Sequence, residues 1–253
     1  MALNQRDMIS GLAKGLRVIE GFTADHPRQS ISDVAEATGL DRATARRCLL
    51  TLTELGYAAH DGKYFTLTPR VLRLGTACLA TRPLAQMVQP WLDQLSEELG
   101  ESSSVSVLDE GEVVYVARAA QRKVMSIALM PGSRLPAYCT SMGRVLLAAL
   151  PEAEARARLD AMNLAPRTPL TQTDPEALMA RLGQVRAQGY EVIDQEVEIG
   201  LRSIAVPIVD AHCRTVAALN LGLPVRDMPV DDIPTRYLPA LHRLQAELKR
   251  VLR

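Results

Sequence analysis

Residues 31–67 constrain this chain more than any other stretch. Ile31, Val34, Ala35 and Thr38 recur at i, i+3, i+4 and i+7, which gives a helix one inward face. Gly39 stops that helix, because glycine tolerates the left-handed backbone of a helix end. Asp41 supplies an N-cap for a second helix, whose inner face is Ala45, Cys48, Leu49, Leu52 and Leu55. Arg42, Arg46 and Arg47 then fall on the outer face, with Thr44 near the first turn. Next comes a hairpin pattern, Tyr57–His60 and Lys63–Leu67 around Asp61-Gly62, the dipeptide most typical of a tight β-turn. Two helices across a short turn, arginines on the free face of the second, and a hairpin behind make a winged helix-turn-helix that reads DNA. Arg42, Thr44, Arg46 and Arg47 are the expected major-groove contacts, and Lys63 on the wing the expected phosphate contact. Exposed arginines on a helix are often only a solvated face. Here a glycine stop, an aspartate cap and an Asp-Gly wing agree with the basic surface.

Charge is local. Residues 1–75 hold 10 Lys/Arg against 8 Asp/Glu, and the whole chain is neutral, so affinity for DNA must come from one helix and from pairing of two copies. With 253 residues the chain is long enough for two domains with cores of their own. No apolar run reaches the length of a membrane span, and Met1–Gly11 lacks a signal-peptide core, so the expected location is the cytoplasm, with no membrane partner. Cys48, Cys78, Cys139 and Cys213 are far apart, as are the four histidines, which supports neither a metal site nor a disulfide framework. No cofactor is expected.

An amphipathic helix at 10–24, with Leu12, Leu16 and Ile19 inward, supports the helix pair. After the wing, Thr68-Pro69 starts a connector helix that ends before Arg82-Pro83. A longer helix at 84–99 carries Pro90, which should kink or divide it. From 102 the period becomes two: strands are expected at 105–107, 113–117, 124–129, 190–194, 202–209 and 215–222, and helices at 142–150, 152–162, 175–188 and 235–252. The fold class is α+β: a winged helix-turn-helix domain at 10–68, a linker helix at 69–82, and at 83–253 a mostly antiparallel sheet with flanking helices.

In that second domain Gly132–Arg144 is dense in hydrogen-bonding side chains and lies between a strand and a helix. Thr140 and Ser141 at the helix start suit an anion, and Arg134 offers a bidentate contact. Ser203 and Asn220 interrupt apolar strands and are pocket candidates, although each alone also fits a purely structural role. A hydrolytic elbow is not supported, because the position two before Ser141 holds Cys139 in place of glycine. A competing reading makes the second domain an organic-acid-processing enzyme with the winged helix as a docking module. Cys139 and His212 are its only imaginable pair, and nothing in the sequence brings them together. A third reading is a repressor without any effector.

The segments GLAKGLRVIEGF (11–22), LPAYCTSMGRVLLA (135–148) and GLRSIAVPIVD (200–210) resemble the IclR family of bacterial transcriptional regulators over about residues 10–250. RRCLLTLTELGYA (46–58), LPAYCTSMGR and QEVEIGLRSIAVP (195–207) resemble the subgroup that controls aromatic acid catabolism, the Pca regulators of the β-ketoadipate pathway. The resemblance implies a GAF-like effector domain, a homodimer with pairing into a tetramer left open, double-stranded operator DNA, and RNA polymerase as a partner if the protein activates. It implies a small organic acid such as protocatechuate or β-ketoadipate, held by Leu135, Ser141 and Met142, by Ser203 and Asn220, and by Ile127; Tyr138 and Thr140 of the same loop are further candidates. Of an acidic pair found in some relatives only Asp194 remains here, with Ile193 at the other place.

Overall fold

The computed structural model describes residues 8–23, 25–75, 84–121, 129–225 and 228–252. The chain divides into two compact units, residues 1–82 and 83–253.

In the first unit helices α1 (Ser10–Glu20), α2 (Ile31–Thr38) and α3 (Arg42–Glu54) precede the hairpin β1 (Ala58–His60) and β2 (Phe65–Leu67). Ser30 and Asp33 form a reciprocal capping box at α2, Gly39 closes that helix at φ 66°, and Asp41 accepts from the Thr44 amide to open α3. Val18, Val34, Ala35, Ala45, Leu49, Leu52, Ala58 and Phe65 form the core. Two expectations change. The hairpin loop spans four residues, 61–64, with His60 opposite Phe65. Asp61 accepts from the Lys63 and Tyr64 amides at 3.0 and 2.8 Å, and these bonds hold its carboxyl down at a pKa of about 2. On α1 Ile19 and Phe22 pack against the core as expected, but its fully buried residue is Val18, while Leu12 and Leu16 are 61% and 45% exposed. Val18 lies about 100° round the helix from Ile19, on the side away from Leu12 and Leu16. Pro69–Val71 forms a 3-10 turn capped by Thr68, residues 72–75 are helical, and the rest of the expected connector lies outside the described residues.

The second unit is a six-stranded antiparallel sheet between helices. Its elements are α4 (Leu84–Leu99), β3 (Ser102–Asp109), β4 (Glu112–Ala119), β5 (Arg134–Pro136), α5 (Ser141–Ala148), α6 (Glu152–Ala161), α7 (Pro175–Gln188), β6 (Glu191–Asp194), β7 (Leu201–Val209), β8 (Thr215–Pro224) and α8 (Asp232–Val251). Strand order is β5-β4-β3-β8-β7-β6. One sheet face carries Val105, Ile204, Val206, Leu219 and Leu221 into a core with α4 and α8. The other carries Val113, Tyr115, Ala205 and Ala218 against α5 and α7. The helix α4 runs through Pro90 as one assigned element rather than two. The short strand β5 was not anticipated. The strand expected at 124–129 lies outside the described residues except for Leu129, which is in no strand.

Of the glycines in this unit, Gly143 at the start of α5 has the least room for a side chain. A Cβ on Gly143 would meet the Ala137 carbonyl oxygen at 2.2 Å and the Ala137 Cα at 2.3 Å, both backbone atoms. Gly143→Ala should therefore lower unfolding free energy by about 3 kcal/mol, read as a fall in the urea midpoint at unchanged slope. An unchanged midpoint would contradict this packing.

Candidate regulatory sites: recognition helix and effector face

The capped start of α3 sets which side chains leave the first unit. Arg42, Arg46 and Arg47 are exposed as expected, and Ala43 and Leu50 share their surface. Thr44 does not: it is 6% exposed, because position three of the helix turns it beside Ala45 into the core. On the wing Lys63 is exposed and its Nζ lies 4.9 Å from the Tyr64 ring centroid. Arg28 lies 5.0 Å from the same centroid and pairs with Asp61 at 2.6 Å. Arg28 was not among the expected residues. It is distant in sequence from the hairpin, and only the fold brings it to the wing.

In the second unit the strand register assembles a polar face. Residues paired across strands point to the same side of a sheet, and so do residues two apart. Ser104 stands opposite both Arg118 and Asn220, and Asn220 opposite Ala205. One step along, Ser102 stands opposite Gly222, Gly222 opposite Ser203, and Ser203 opposite Ile193. One step the other way, Ser106 stands opposite Tyr115 and Ala218. The start of α5 covers this face. Ser106 Oγ donates to Met142 Sδ at 3.0 Å, and Leu135 packs in the same core. Arg118 donates to Ser104 Oγ at 2.9 Å, and partial burial lowers its pKa. Burial pushes the Tyr115 phenol up to about 12, so it stays protonated at neutral pH. Ser141 Oγ and Asn220 Oδ1 are buried with no hydrogen-bond partner among the described residues. Each such orphan costs about 1–3 kcal/mol unless something fills it.

Of the expected effector residues, Ser203 and Asn220 lie on this face, Leu135 shares its core, and Ser141 and Met142 stand at the start of the helix that covers it. Ile127 lies outside the described residues. Arg134 is on the opposite face. Its partner in register is Val114, one step from the core pair Val113 and Leu135, and its guanidinium is held by Asp109 at 2.8 Å and Glu112 at 2.6 Å. Asp194 fails by the same parity. It pairs with Arg202, whose Nε it receives at 2.7 Å, while Ile193 is the residue facing Ser203. Thr140 is committed to the helix, accepting from the Gly143 amide at 3.1 Å and donating to the Pro136 carbonyl at 3.1 Å. The Tyr138 hydroxyl donates to the Ala165 carbonyl, and its ring lines a separate cavity of about 720 Å3 with Gly111, Arg158 and Met162. Arg118 and the serines of β3 were missed. The serines carried a signal, alternating with Val105 and Val107, whereas Arg118 is a single charge near a strand end and is placed only by its register with Ser104.

Behind the face, Arg144 fixes the segment before α5. It donates to the Tyr138 carbonyl at 2.7 Å, to Glu191 at 3.1 Å and to Glu196 at 2.6 Å, while Arg181 also holds Glu191 at 2.8 Å. Cys139 is fully buried and burial pushes its thiol up to about 11, which removes the thiolate an enzyme reading would need.

Comparison with known proteins agrees with both units. The IclR helix-turn-helix domain matches residues 11–62, and the bacterial transcriptional regulator IclR C-terminal domain matches residues 76–248. The Pca regulon regulatory protein of Pseudomonas putida is 45% identical over 236 residues, 93% of this chain and 81% of that protein. The crystal structure of a transcriptional regulator from Rhodococcus sp. RHA1 is 46% identical, with a TM-score of 0.81 over 97% of this chain and 98% of that one. An IclR homolog from Microbacterium hydrocarbonoxydans, solved in complex with 4-hydroxybenzoate, is 28% identical, with a TM-score of 0.76 over 95% of this chain and 98% of that one. The chain belongs to the IclR family of bacterial transcriptional regulators.

Proposed function

We propose that this protein is a DNA-binding regulator of aromatic acid catabolism whose effector is a hydroxylated aromatic acid held on the polar face beneath α5. One observation carries the reading: the buried Asn220 Oδ1 lacks a partner on the face that also holds the Arg118 guanidinium, and so does the buried Ser141 Oγ at the start of the covering helix. A carboxylate suits the guanidinium, and a ring hydroxyl suits an amide oxygen that can only accept. β-Ketoadipate lacks such a donor, so protocatechuate or 4-hydroxybenzoate fits better. The homologue bound to 4-hydroxybenzoate and the similarity to a Pca regulator favour the same class. Binding would shift the population between two geometries of the DNA-reading pair, with a coupling of about 1–3 kcal/mol, through the connector that follows Pro69. Activation, with RNA polymerase as the further partner, is the mode that family analogy favours. The cytoplasm is the expected compartment, and among the described residues no helix is long and apolar enough to cross a membrane. No observation favours catalysis.

The reading needs a homodimer. Leu12 and Leu16 are exposed along one side of α1, and Met8 and Ile9 are exposed just before it, apolar surface that a second copy would cover. Replacing Leu12 and Leu16 together by Glu should leave the helical circular dichroism intact, reduce the sedimenting species toward monomer, and weaken operator binding. A dimer of unchanged affinity would place the interface elsewhere.

The effector assignment is tested by thermal shift. At about a hundred times Kd, a ligand that binds only the folded state adds about 2.7 kcal/mol, or roughly 5–10 °C for a chain of this size. 4-Hydroxybenzoate or protocatechuate should produce that rise. Arg118→Met should remove it, and Arg134→Met should keep it. The reverse pattern would return the carboxylate to Arg134, and a rise with β-ketoadipate alone would overturn the hydroxyl argument.

A further inference from the structure

The exposed surface of α3 is not uniformly basic. Between Arg42, Arg46 and Arg47 stands Ala43, also exposed, at the second residue of the helix. The first turn of a recognition helix is the part that meets base edges. Arginines there bond guanine edges or phosphates, whereas a methyl group bonds neither. The one apolar feature that the major groove offers is the C5-methyl of thymine. We propose that Ala43 reads a thymine methyl in each operator half-site, inside a frame of charged contacts made by Arg46 and Arg47.

The placement supports a contact that is short and specific. Ala43 ends at Cβ, so the helix backbone must come within van der Waals reach of the groove floor at this point, about 4 Å between heavy atoms. The neighbours at i+3 and i+4 are Arg46 and Arg47, whose long side chains reach past it on the same side of the helix. Leu50, 39% exposed, continues the same line at i+7, about 10 Å further along the helix axis. Thr44, the other small residue of the first turn, is buried and cannot compete for this contact. The proposal rests on α3 being the recognition helix and adds which base one of its residues selects.

The test uses the full-length protein. Selection from a pool of random duplexes defines the preferred half-site for the wild type. Each thymine of the selected duplex is then replaced in turn by deoxyuridine, which removes only the methyl. One thymine per half-site should weaken wild-type binding about fourfold when replaced, the worth of one buried methyl group. The same replacement should leave binding by Ala43→Gly unchanged, with Ala43→Ser as a second variant that keeps the helix start. Circular dichroism melting shows that both variants fold. The contact is overturned if no replacement affects the wild type, or if the same thymine matters to Ala43→Gly as much as to the wild type. Absence of any enriched sequence would overturn the recognition-helix reading itself, and the Ala43 contact with it.

Discussion

The buried guanidinium of Arg144 is the interaction on which the effector half of this molecule depends. It closes on three different pieces of chain: the carbonyl of Tyr138 before α5, Glu191 on β6 and Glu196 in the loop after it. Glu196 in turn accepts from the Gln172 amide, and the Thr171 hydroxyl donates to the Glu196 carbonyl. Arg181 completes a set of two positive and two negative groups, so a strongly desolvated cluster is neutral as a whole. Such a cluster contributes little net stability over an apolar one, yet losing one member leaves a buried charge and costs about 3–5 kcal/mol. Its role is positional. It fixes where α5 begins, and with it where Ser141 and Met142 meet the sheet.

The polar face itself runs against folding. A sheet of this kind covers apolar residues on both sides, and the far face does so with valines, isoleucines and leucines. On the near side the same strands present serines, an arginine and an asparagine whose amide oxygen goes without a partner, as does the Ser141 hydroxyl on the covering helix. That arrangement destabilises the empty protein and is best explained by a ligand that supplies the missing bonds. The first unit shows the same division of labour on a smaller scale, with α3 inward for packing and outward for charge.

Much of this was legible because local chemistry fixed it. The Gly39 stop, the Asp41 cap, the Asp174-Pro175 helix start and the apolar runs of β7 and β8 each have one physical reading, and the structure follows it. Three misplacements share one cause. Thr44 is wrong by one helical step, and Arg134 and Asp194 by one strand step. A single-residue displacement turns a side chain about 100° on a helix and to the opposite face on a strand. Sequence shows which polar residues interrupt an apolar run. It does not show which of two adjacent ones is inside until register with the neighbouring strand is known. Arg118 went unseen because an arginine near a strand end passes for surface. Only its position opposite Ser104 makes it part of the site.

The winged helix carries one further consequence. Its core is Phe65, Val18, Val34, Leu49 and Leu52 with three alanines, a small apolar volume for a unit that must hold a helix at a fixed angle to DNA. Domains of about 60 residues bury only about 60% of their unfolded surface and are correspondingly marginal. With so little apolar volume to hold it, the orientation of α3 leans on its local chemistry, the capping box at Ser30, the left-handed stop at Gly39 and the Asp41 cap, so each of these positions bears on the angle of the reading head as much as a core residue does.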